Sequence, residues 1–198
     1  MSLRKHFLNK LLLAILVLPG LATAAPLHCM TWLPPDFTAA GLDGARRVGG
    51  IAQGGGVVWS TGGATSLGPL LPGSESLAIN NGGSIVGRVG SDAFVYAGGA
   101  FSIFNLPPAY GTWATAINDA GQVAGFGAVG FSETYAFLYQ SGVVTQLGSF
   151  GGTISVANAI NASGHIAGFA SHAGDGGDWG EPRRTAPVYP GGVPQHLG

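Results

Sequence analysis

The sequence is poor in charge, in lysine and in cysteine. Charged residues make up 9% of its 198 residues, against about 25% in an average globular protein. Lysine does not occur after Lys10, and Cys29 is the only cysteine. A single thiol excludes an internal disulfide, and a chain without clustered Lys and Arg lacks the phosphate contacts of a nucleic-acid-binding protein. No window after the N-terminal segment has a capped helical stripe, so we predict essentially no helix there.

Hydrophobic residues and glycine are what the sequence has in abundance. Hydrophobic residues make up 46% of the chain, which is enough to bury a core and does not fit the composition of a disordered protein. Glycine occupies 36 positions, well above its usual share of about 7%. We therefore expect the glycines to serve turns and close backbone approaches.

The N-terminal segment has the three parts of a secretory signal peptide. The basic stretch "MSLRKHFLNK" precedes the apolar run "LLLAILVLPGLA" and the small-residue site "ATA", an order typical of export signals. The apolar run is shorter than the roughly 20 residues that a spanning helix needs. We predict a signal peptide over residues 1–24, a β-repeat domain over 25–198, a secreted, extracellular or periplasmic location, and no membrane span after cleavage. The cleaved chain would carry five arginines against nine acidic residues, a net charge of −4.

A repeat begins with the stretch "ATAINDAGQVAGFG". Its Ile-Asn pair occurs three times, with spacings of 38 and 43 residues, and a degenerate Leu42-Asp43 copy lies 37 residues before the first pair. A glycine follows each Asn after two intervening residues, which fits a hairpin loop made of a type I turn and a left-handed glycine. The predicted structural repeat residues are Ile79, Asn80, Gly83, Ile117, Asn118, Gly121, Ile160, Asn161 and Gly164.

A second repeated signal lies between these pairs. Apolar runs end in an aromatic residue, then a glycine-containing turn and a short segment follow, at Trp59, Tyr96, Tyr139 and Tyr189. Together the two signals predict four-stranded antiparallel units of about 40 residues, the size of a β-propeller blade. We place the units approximately at 38–75, 76–113, 114–155 and 156–198. The expected fold is all-β and β-propeller-like, a partial or small propeller, with a β-solenoid as the alternative. The stretch "MTWLPPDF" resembles "FNLPPAYG" and is expected to supply the last strand of a preceding unit.

The stretches "AINDAGQVAGF" and "YAFLYQSGVVTQLGSFGGTISVANAINASGHIAGFAS" resemble the bacterial extracellular HAF repeat. That family is named for a His-Ala-Phe triplet, which appears here as Tyr135-Ala136-Phe137 and Asp92-Ala93-Phe94, without the histidine. The resemblance covers roughly residue 33 to the end of the sequence. It implies export and a propeller-like fold.

The stretch "SHAGDGGDWGEPRR" is an insertion in the fourth unit, between its second and third strands. Long insertions on one face of a repeat array are often binding loops. The candidate binding residues are His172, Asp175, Asp178, Trp179 and Glu181. The stretch lacks a complete calcium-loop pattern, so we predict no metal.

No motif in the sequence indicates catalysis or a cofactor. The stretch "GFGAVG" matches a dinucleotide-binding pattern, but a strand-like segment follows it where that pattern requires a helix. We find neither a nucleophile elbow nor a zinc-protease motif. The sequence therefore favours a non-catalytic binding or interaction module whose partner is an extracellular ligand, glycan or protein. Its alternatives are a propeller-based enzyme acting on glycans or peptides and a passenger segment of a larger surface protein.

Overall fold

The chain folds into small antiparallel sheets that follow one another along the sequence. The structure is a computed structural model, and it describes residues 15–16, 29–30, 33, 36–52, 55–60, 63–66, 73–130, 132–174, 184–185, 187–189 and 195–196. Every regular element in these residues is a strand, and none is a helix. The absence of helix in this part of the chain and the all-β class agree with the sequence prediction.

The first two strands are short and pair with each other. They are β1 (Ile15–Leu16) and β2 (Cys29–Met30), which form a two-stranded antiparallel sheet. The rest of the predicted signal peptide lies outside the described residues.

Units one and two are four-stranded sheets in which each strand pairs with the next along the chain. Unit one consists of β3 (Thr38–Leu42), β4 (Val48–Ala52), β5 (Gly55–Ser60) and β6 (Gly63–Ser66). Unit two consists of β7 (Ser74–Ile79), β8 (Ile85–Val89), β9 (Asp92–Ala97) and β10 (Ala100–Phe104).

Units three and four follow the same plan and join into one nine-stranded sheet. Unit three consists of β11 (Gly111–Ile117), β12 (Val123–Ala128), β13 (Thr134–Gln140) and β14 (Val143–Gln146). Unit four consists of β15 (Gly151–Ile160), β16 (Ile166–His172), β17 (Arg184–Thr185), β18 (Pro187–Tyr189) and β19 (Gln195–His196). A parallel pairing of Thr134 with Ile154 links the two units.

The units pack against each other through both faces of their strands. In unit three, Phe137 belongs to a core cluster shared with unit two, whereas its neighbour Ala136 belongs to a cluster shared with unit four. Both side chains are completely buried, as expected for a strand too apolar to alternate. The first strand of each later unit contacts the second strand of the unit before it, in the pairs β4·β7, β8·β11 and β12·β15.

A glycine in every second strand allows a bulge in the first strand. The bulges fall between Ala39 and Gly41, Ser76 and Ala78, Ala114 and Ala116, and Ala157 and Ala159. A Cβ on Gly125 would collide with the Trp113 carbonyl oxygen and with the Phe137 ring, and the equivalent Gly50, Gly87 and Gly168 meet the same backbone obstruction. Only glycine fits this close strand approach.

Buried hydroxyl groups join neighbouring units. Ser155, on the first strand of unit four, accepts a hydrogen bond at Oγ from the Ala136 backbone N–H of unit three, at 3.0 Å. Ser74 of unit two likewise accepts from the Gly56 N–H of unit one, at 3.2 Å. A buried N–H needs such a partner, so these hydroxyls hold one unit on the next.

Candidate functional site

All four units turn from their first to their second strand in the same way. In unit three, the Asn118 N–H donates to the Gln122 carbonyl at 3.0 Å and the Gly121 N–H donates to the Asn118 carbonyl at 3.1 Å. The Gln122 N–H donates to Asn118 Oδ1 at 3.0 Å. The same bonds occur in the turns 43–47, 80–84 and 161–165. An Asn or Asp side chain thus closes each turn.

The fourth position of each turn has a left-handed backbone. Gly83, Gly121 and Gly164 have φ of 80°, 77° and 80°, as the proposed turn type requires. In unit one this position is Arg46, with φ of 68°. The degenerate first copy therefore keeps the turn geometry without the glycine that favours it.

The turn asparagines also form a ladder between units. Asn80 Nδ2 donates to the Asn118 carbonyl at 2.9 Å, and Asn118 Nδ2 donates to the Asn161 carbonyl at 3.0 Å. Asn80 and Asn118 are buried. Each amide closes its own turn with its oxygen and holds the next unit with its nitrogen, so asparagine is the residue that the repeat needs at this position.

In unit one an ion pair takes the place of the asparagine that joins the other units. Asp43 has no side-chain N–H to donate, but it forms an ion pair with Arg47. Arg47 Nη2 donates to the Asn81 carbonyl of unit two at 3.1 Å. The arginine therefore supplies the inter-unit donor that the aspartate lacks.

Asp119 strengthens the contact between units two and three at the surface. Its carboxylate accepts from the Asn81 backbone N–H at 2.9 Å and from Asn81 Nδ2 at 2.7 Å. The side-chain hydrogen bond from Asn81, followed by the backbone one, lowers the pKa of Asp119. The polar groups at the turns thus hold the units in register, and we assign them a structural role.

The repeat isoleucines differ in how deeply they are buried. Ile79 is 9% exposed, because it lies over Gly41 and Gly49 of unit one, where no side chain keeps the units apart. Ile117 is only half-buried. In unit two, Val86 stands where unit one has Gly49, and it fills the equivalent space. Ile160 is half-buried as well.

The opposite end of the units carries an aromatic cluster. Trp113 and Phe126 are directly paired on β11 and β12, and their rings stack with centroids 5.1 Å apart and an angle of 11°. The Arg88 guanidinium of unit two lies over the Trp113 ring, 5.1 Å from its centroid. Gly111 makes room for the Trp113 ring, since a Cβ there would collide with it. All three clustered side chains are partly exposed.

Tyr110 immediately precedes β11, at the same end of the sheet. Its backbone N–H donates to the Ala128 carbonyl at 2.7 Å, which holds it beside the end of β12. Its side chain is 76% exposed, the largest exposure among the large hydrophobic residues described. We call Arg88, Tyr110, Trp113 and Phe126 the aromatic cluster.

Arg88 forms no ion pair in the part of the chain that the structure describes, although Glu75 lies directly opposite it on β7. The single ion pair there is that of Arg47 with Asp43. A guanidinium held over an indole ring keeps its charge and its N–H donors for another group. The aromatic cluster therefore places a cationic donor beside partly exposed aromatic rings.

The insertion that we predicted as a binding loop begins at the equivalent end of unit four, after β16. His172 is half-buried at the end of β16 and stacks on Phe150 with centroids 5.1 Å apart. The other candidates, Asp175, Asp178, Trp179 and Glu181, lie outside the described residues. Thr134 pairs with Ile154 and Gly151 pairs with His172, so the loop at 129–133 and the start of the insertion lie near the same sheet end.

Sequence reasoning missed the aromatic cluster. The sequence did contain a hint of it, because Trp113 is a large aromatic residue at a repeat position where the other units have Thr38, Glu75 and Val156. Its partner Arg88 lies in another unit, and no local pattern connects the two. The dinucleotide-like stretch from Gly125 lies in β12 and the loop before strand β13, as the sequence context indicated.

No protein-family model and no curated protein matches this chain. Within the described residues, no helix has the length and apolar character to cross a membrane. The same residues contain no group of three or more His, Cys, Asp or Glu side chains placed to hold a metal ion.

Proposed function

We propose that the protein is a secreted, propeller-like binding module of the HAF-repeat type, and that its aromatic cluster binds acidic glycans of the cell envelope or its surroundings. The proposal assigns no catalytic residue to the chain. The single observation that carries it is the aromatic cluster, in which Trp113 stacks on Phe126 and lies under the Arg88 guanidinium, at the sheet end where the exposed Tyr110 precedes β11.

The arrangement of the units supports the propeller-like interpretation. Strands within each unit pair in an antiparallel meander, and neighbouring units pack face to face. Repeated four-stranded meanders are the building blocks of propellers, whereas coils of a β-helix pair in parallel. The HAF-like stretches coincide with strands β11 to β16 of this arrangement.

The N-terminal pattern supports export. A basic start, an apolar run and a small-residue site precede a repeat region that has one cysteine and no lysine. An exported protein meets envelope polysaccharides and surface proteins, so ligands of these classes are available to it.

The composition of the aromatic cluster supports a glycan ligand. Trp, Tyr and Arg are the side chains that dominate binding energies at interfaces. Aromatic faces pack against the C–H faces of sugar rings, and an arginine binds a carboxylate through paired hydrogen bonds. An acidic sugar offers both features within one residue.

Binding to polysaccharides with and without uronic acids tests the proposal. We expect Tyr110→Ala to weaken binding of the acidic polymer about tenfold, the loss of one aromatic contact of about 1.4 kcal/mol. Arg88→Gln should weaken binding of the acidic polymer and leave the neutral one unchanged. Val143→Ala removes a side chain that is 63% exposed on β14, outside the cluster, and is the matched control.

Three results would count against the proposal. Wild-type protein that binds neither polymer would remove the glycan assignment, and unchanged binding by both cluster variants would remove the site. Release of new reducing ends from the polymer over time would show that the protein is an enzyme. Melting temperatures of all variants must stay close to that of the wild type.

A further inference from the structure

The three interfaces between units are built from the same two surfaces. One surface is the first strand of a unit, and the other is the second strand of the unit before it, as in β4·β7, β8·β11 and β12·β15. An asparagine amide at the turn completes two of these interfaces, and the Asp43–Arg47 pair completes the third. Each unit therefore has a leading surface, which faces the unit before it, and a trailing surface, which faces the unit after it.

The leading surface of unit one is open. Leu42, on β3, is 48% exposed, whereas the equivalent Ile79 on β7 is 9% exposed. Thr38 and Ala40 on the same strand are exposed too. An apolar side chain that the later units cover is thus left in contact with solvent.

The trailing surface of unit four is open in the same way. Ala167 on β16 is exposed, whereas the equivalent Ala124 on β12 is completely buried under unit four. Ala159 is exposed beside it. The two open surfaces are therefore the two halves of an interface that the molecule already forms three times.

The asparagine ladder is open at the corresponding places. Asn161 Oδ1 closes its own turn by accepting from the His165 N–H at 2.9 Å. Its Nδ2, which in Asn118 donates to the next unit, has no acceptor among the described residues. The Asp43 carbonyl accepts from the Arg46 N–H at 3.2 Å, and no side chain among the described residues donates to it. One end offers a donor and the other an acceptor.

We propose that these two surfaces bind each other between copies of the chain. The leading surface of one copy, formed by β3, packs on the trailing surface of the next copy, formed by β16, and Asn161 Nδ2 donates to the Asp43 carbonyl across the contact. We choose a second copy as the partner because, within this molecule, the second strand of each earlier unit is covered by the first strand of the next unit. Such a contact joins two different surfaces, so it builds closed rings, of which two copies form the smallest, or open filaments. It does not depend on the glycan proposal.

Single-surface variants and their mixture test this proposal by light scattering after size exclusion. We expect the wild-type mass to rise at least twofold with concentration. Leu42→Arg blocks the leading surface and Ala167→Arg blocks the trailing surface, so each alone should be monomeric. An equimolar mixture has one intact surface of each kind and should form a one-to-one complex that grows no further. Val143→Arg, on an exposed position outside both surfaces, should assemble like the wild type.

The possible outcomes separate this proposal from closure within one chain. A monomeric wild type at all concentrations would overturn the proposal, and it would indicate closure within the chain if both arginine variants also melted lower. Assembly of either variant alone like the wild type would overturn it as well. If Ala167→Arg fails to fold, Ala159→Arg blocks the same surface from the neighbouring strand and must give the same mixture result.

Discussion

Arg46 holds a backbone conformation that glycine holds in the other three turns. Its φ is 68°, beside 80°, 77° and 80° at Gly83, Gly121 and Gly164. A residue with a Cβ meets its own carbonyl group in this region, which costs about 1–2 kcal/mol. Unit one therefore carries local backbone strain that the other units avoid.

Replacing Arg46 with glycine should stabilise the protein. We expect the free energy of unfolding in urea to rise by about 0.5–1 kcal/mol, since the relief of strain exceeds the extra entropy of glycine in the unfolded chain. Arg46→Ala keeps the Cβ and removes the rest of the side chain, so it should change stability little. A glycine variant less stable than the alanine variant would contradict this account of the turn.

The Asp43–Arg47 pair of unit one can be introduced at the equivalent positions of unit three, where Asn118 now lies. Asn118→Asp removes the donor to the Asn161 carbonyl and to Gln122 Oε1 and places a carboxylate in a buried position. We expect a loss of about 1–3 kcal/mol in the free energy of unfolding. Adding Gln122→Arg should restore part of it, because position 122 corresponds to Arg47. In a double-mutant cycle the coupling should reach at least about 0.5 kcal/mol. Purely additive effects would show that the pair does not replace the asparagine.

The glycine of each second strand is fixed by strand geometry. Gly125 has a Cβ direction that points at the Trp113 carbonyl and at Phe137 Cζ, 2.7 Å from the position a Cβ would take. Gly130, in the following loop, would place its Cβ 3.7 Å from Glu133 Cβ, an ordinary contact. Two glycines five residues apart thus have opposite tolerance for a methyl group.

Gly125→Ala should destabilise the protein, whereas Gly130→Ala should not. We expect a loss of about 1–3 kcal/mol for the first, because the backbone of β11 must shift, and a change within about 0.5 kcal/mol for the second, as for most surface positions. Urea unfolding of both variants measures the difference. Equal effects would mean that the bulge in β11 adapts to the extra methyl group.

The elements that the sequence predicted well are those with local signals. The Ile-Asn pairs and their glycines marked all three turns, and the apolar stretch at Tyr135–Tyr139 indicated a strand buried on both faces. The sequence did not predict the bulges in the first strands. It also did not predict that the Ser155 hydroxyl and the Asn118 amide join neighbouring units. Asn118 reaches a carbonyl 43 residues away, and its turn role alone already accounts for an asparagine. Sequence repetition shows that a position matters, but not which of two bonds it forms.

The same limit applies to the candidate site. The insertion was visible as a break in the repeat, while the aromatic cluster needed the packing of unit two on unit three to bring Arg88 to Trp113. The first strands also begin upstream of the predicted unit starts, at Ser74, Gly111 and Gly151. Those starts were placed near the Ile-Asn anchors, and the residues before the anchors carry no shared pattern.

At the scale of the whole molecule, stability depends on the contacts that join the units, as in other repeat proteins. Tyr189 is the largest completely buried side chain and belongs to the core between units three and four. Its hydroxyl donates to the Gly148 carbonyl at 2.9 Å. Burial raises the pKa of the Tyr189 phenol, partly offset by a hydrogen bond with Ser155. The folded state therefore favours the protonated phenol.

Alkaline pH should weaken the contact between units three and four through Tyr189. Because its pKa is raised on folding, the stabilisation is complete below the ordinary tyrosine pKa of about 10 and is lost as the pH rises to the folded value. Over that interval the free energy of unfolding should fall by up to about 1.4 kcal/mol per pH unit. The range is favourable for measurement, since the chain has no lysine after Lys10.

Tyr189→Phe is the variant that isolates this effect. At pH 7 its free energy of unfolding should be about 1 kcal/mol lower than that of the wild type, because the hydrogen bond to Gly148 is lost. Above pH 10 its stability should fall less steeply with pH than that of the wild type. Tyr110→Phe, at a 76% exposed ring, is the control and should leave the pH profile unchanged. In hydrogen exchange at pH 7, the variant should lose amide protection first in β13, β15 and β16, where unit four packs on unit three. Parallel pH profiles for wild type and Tyr189→Phe would mean that this phenol does not couple the units to pH.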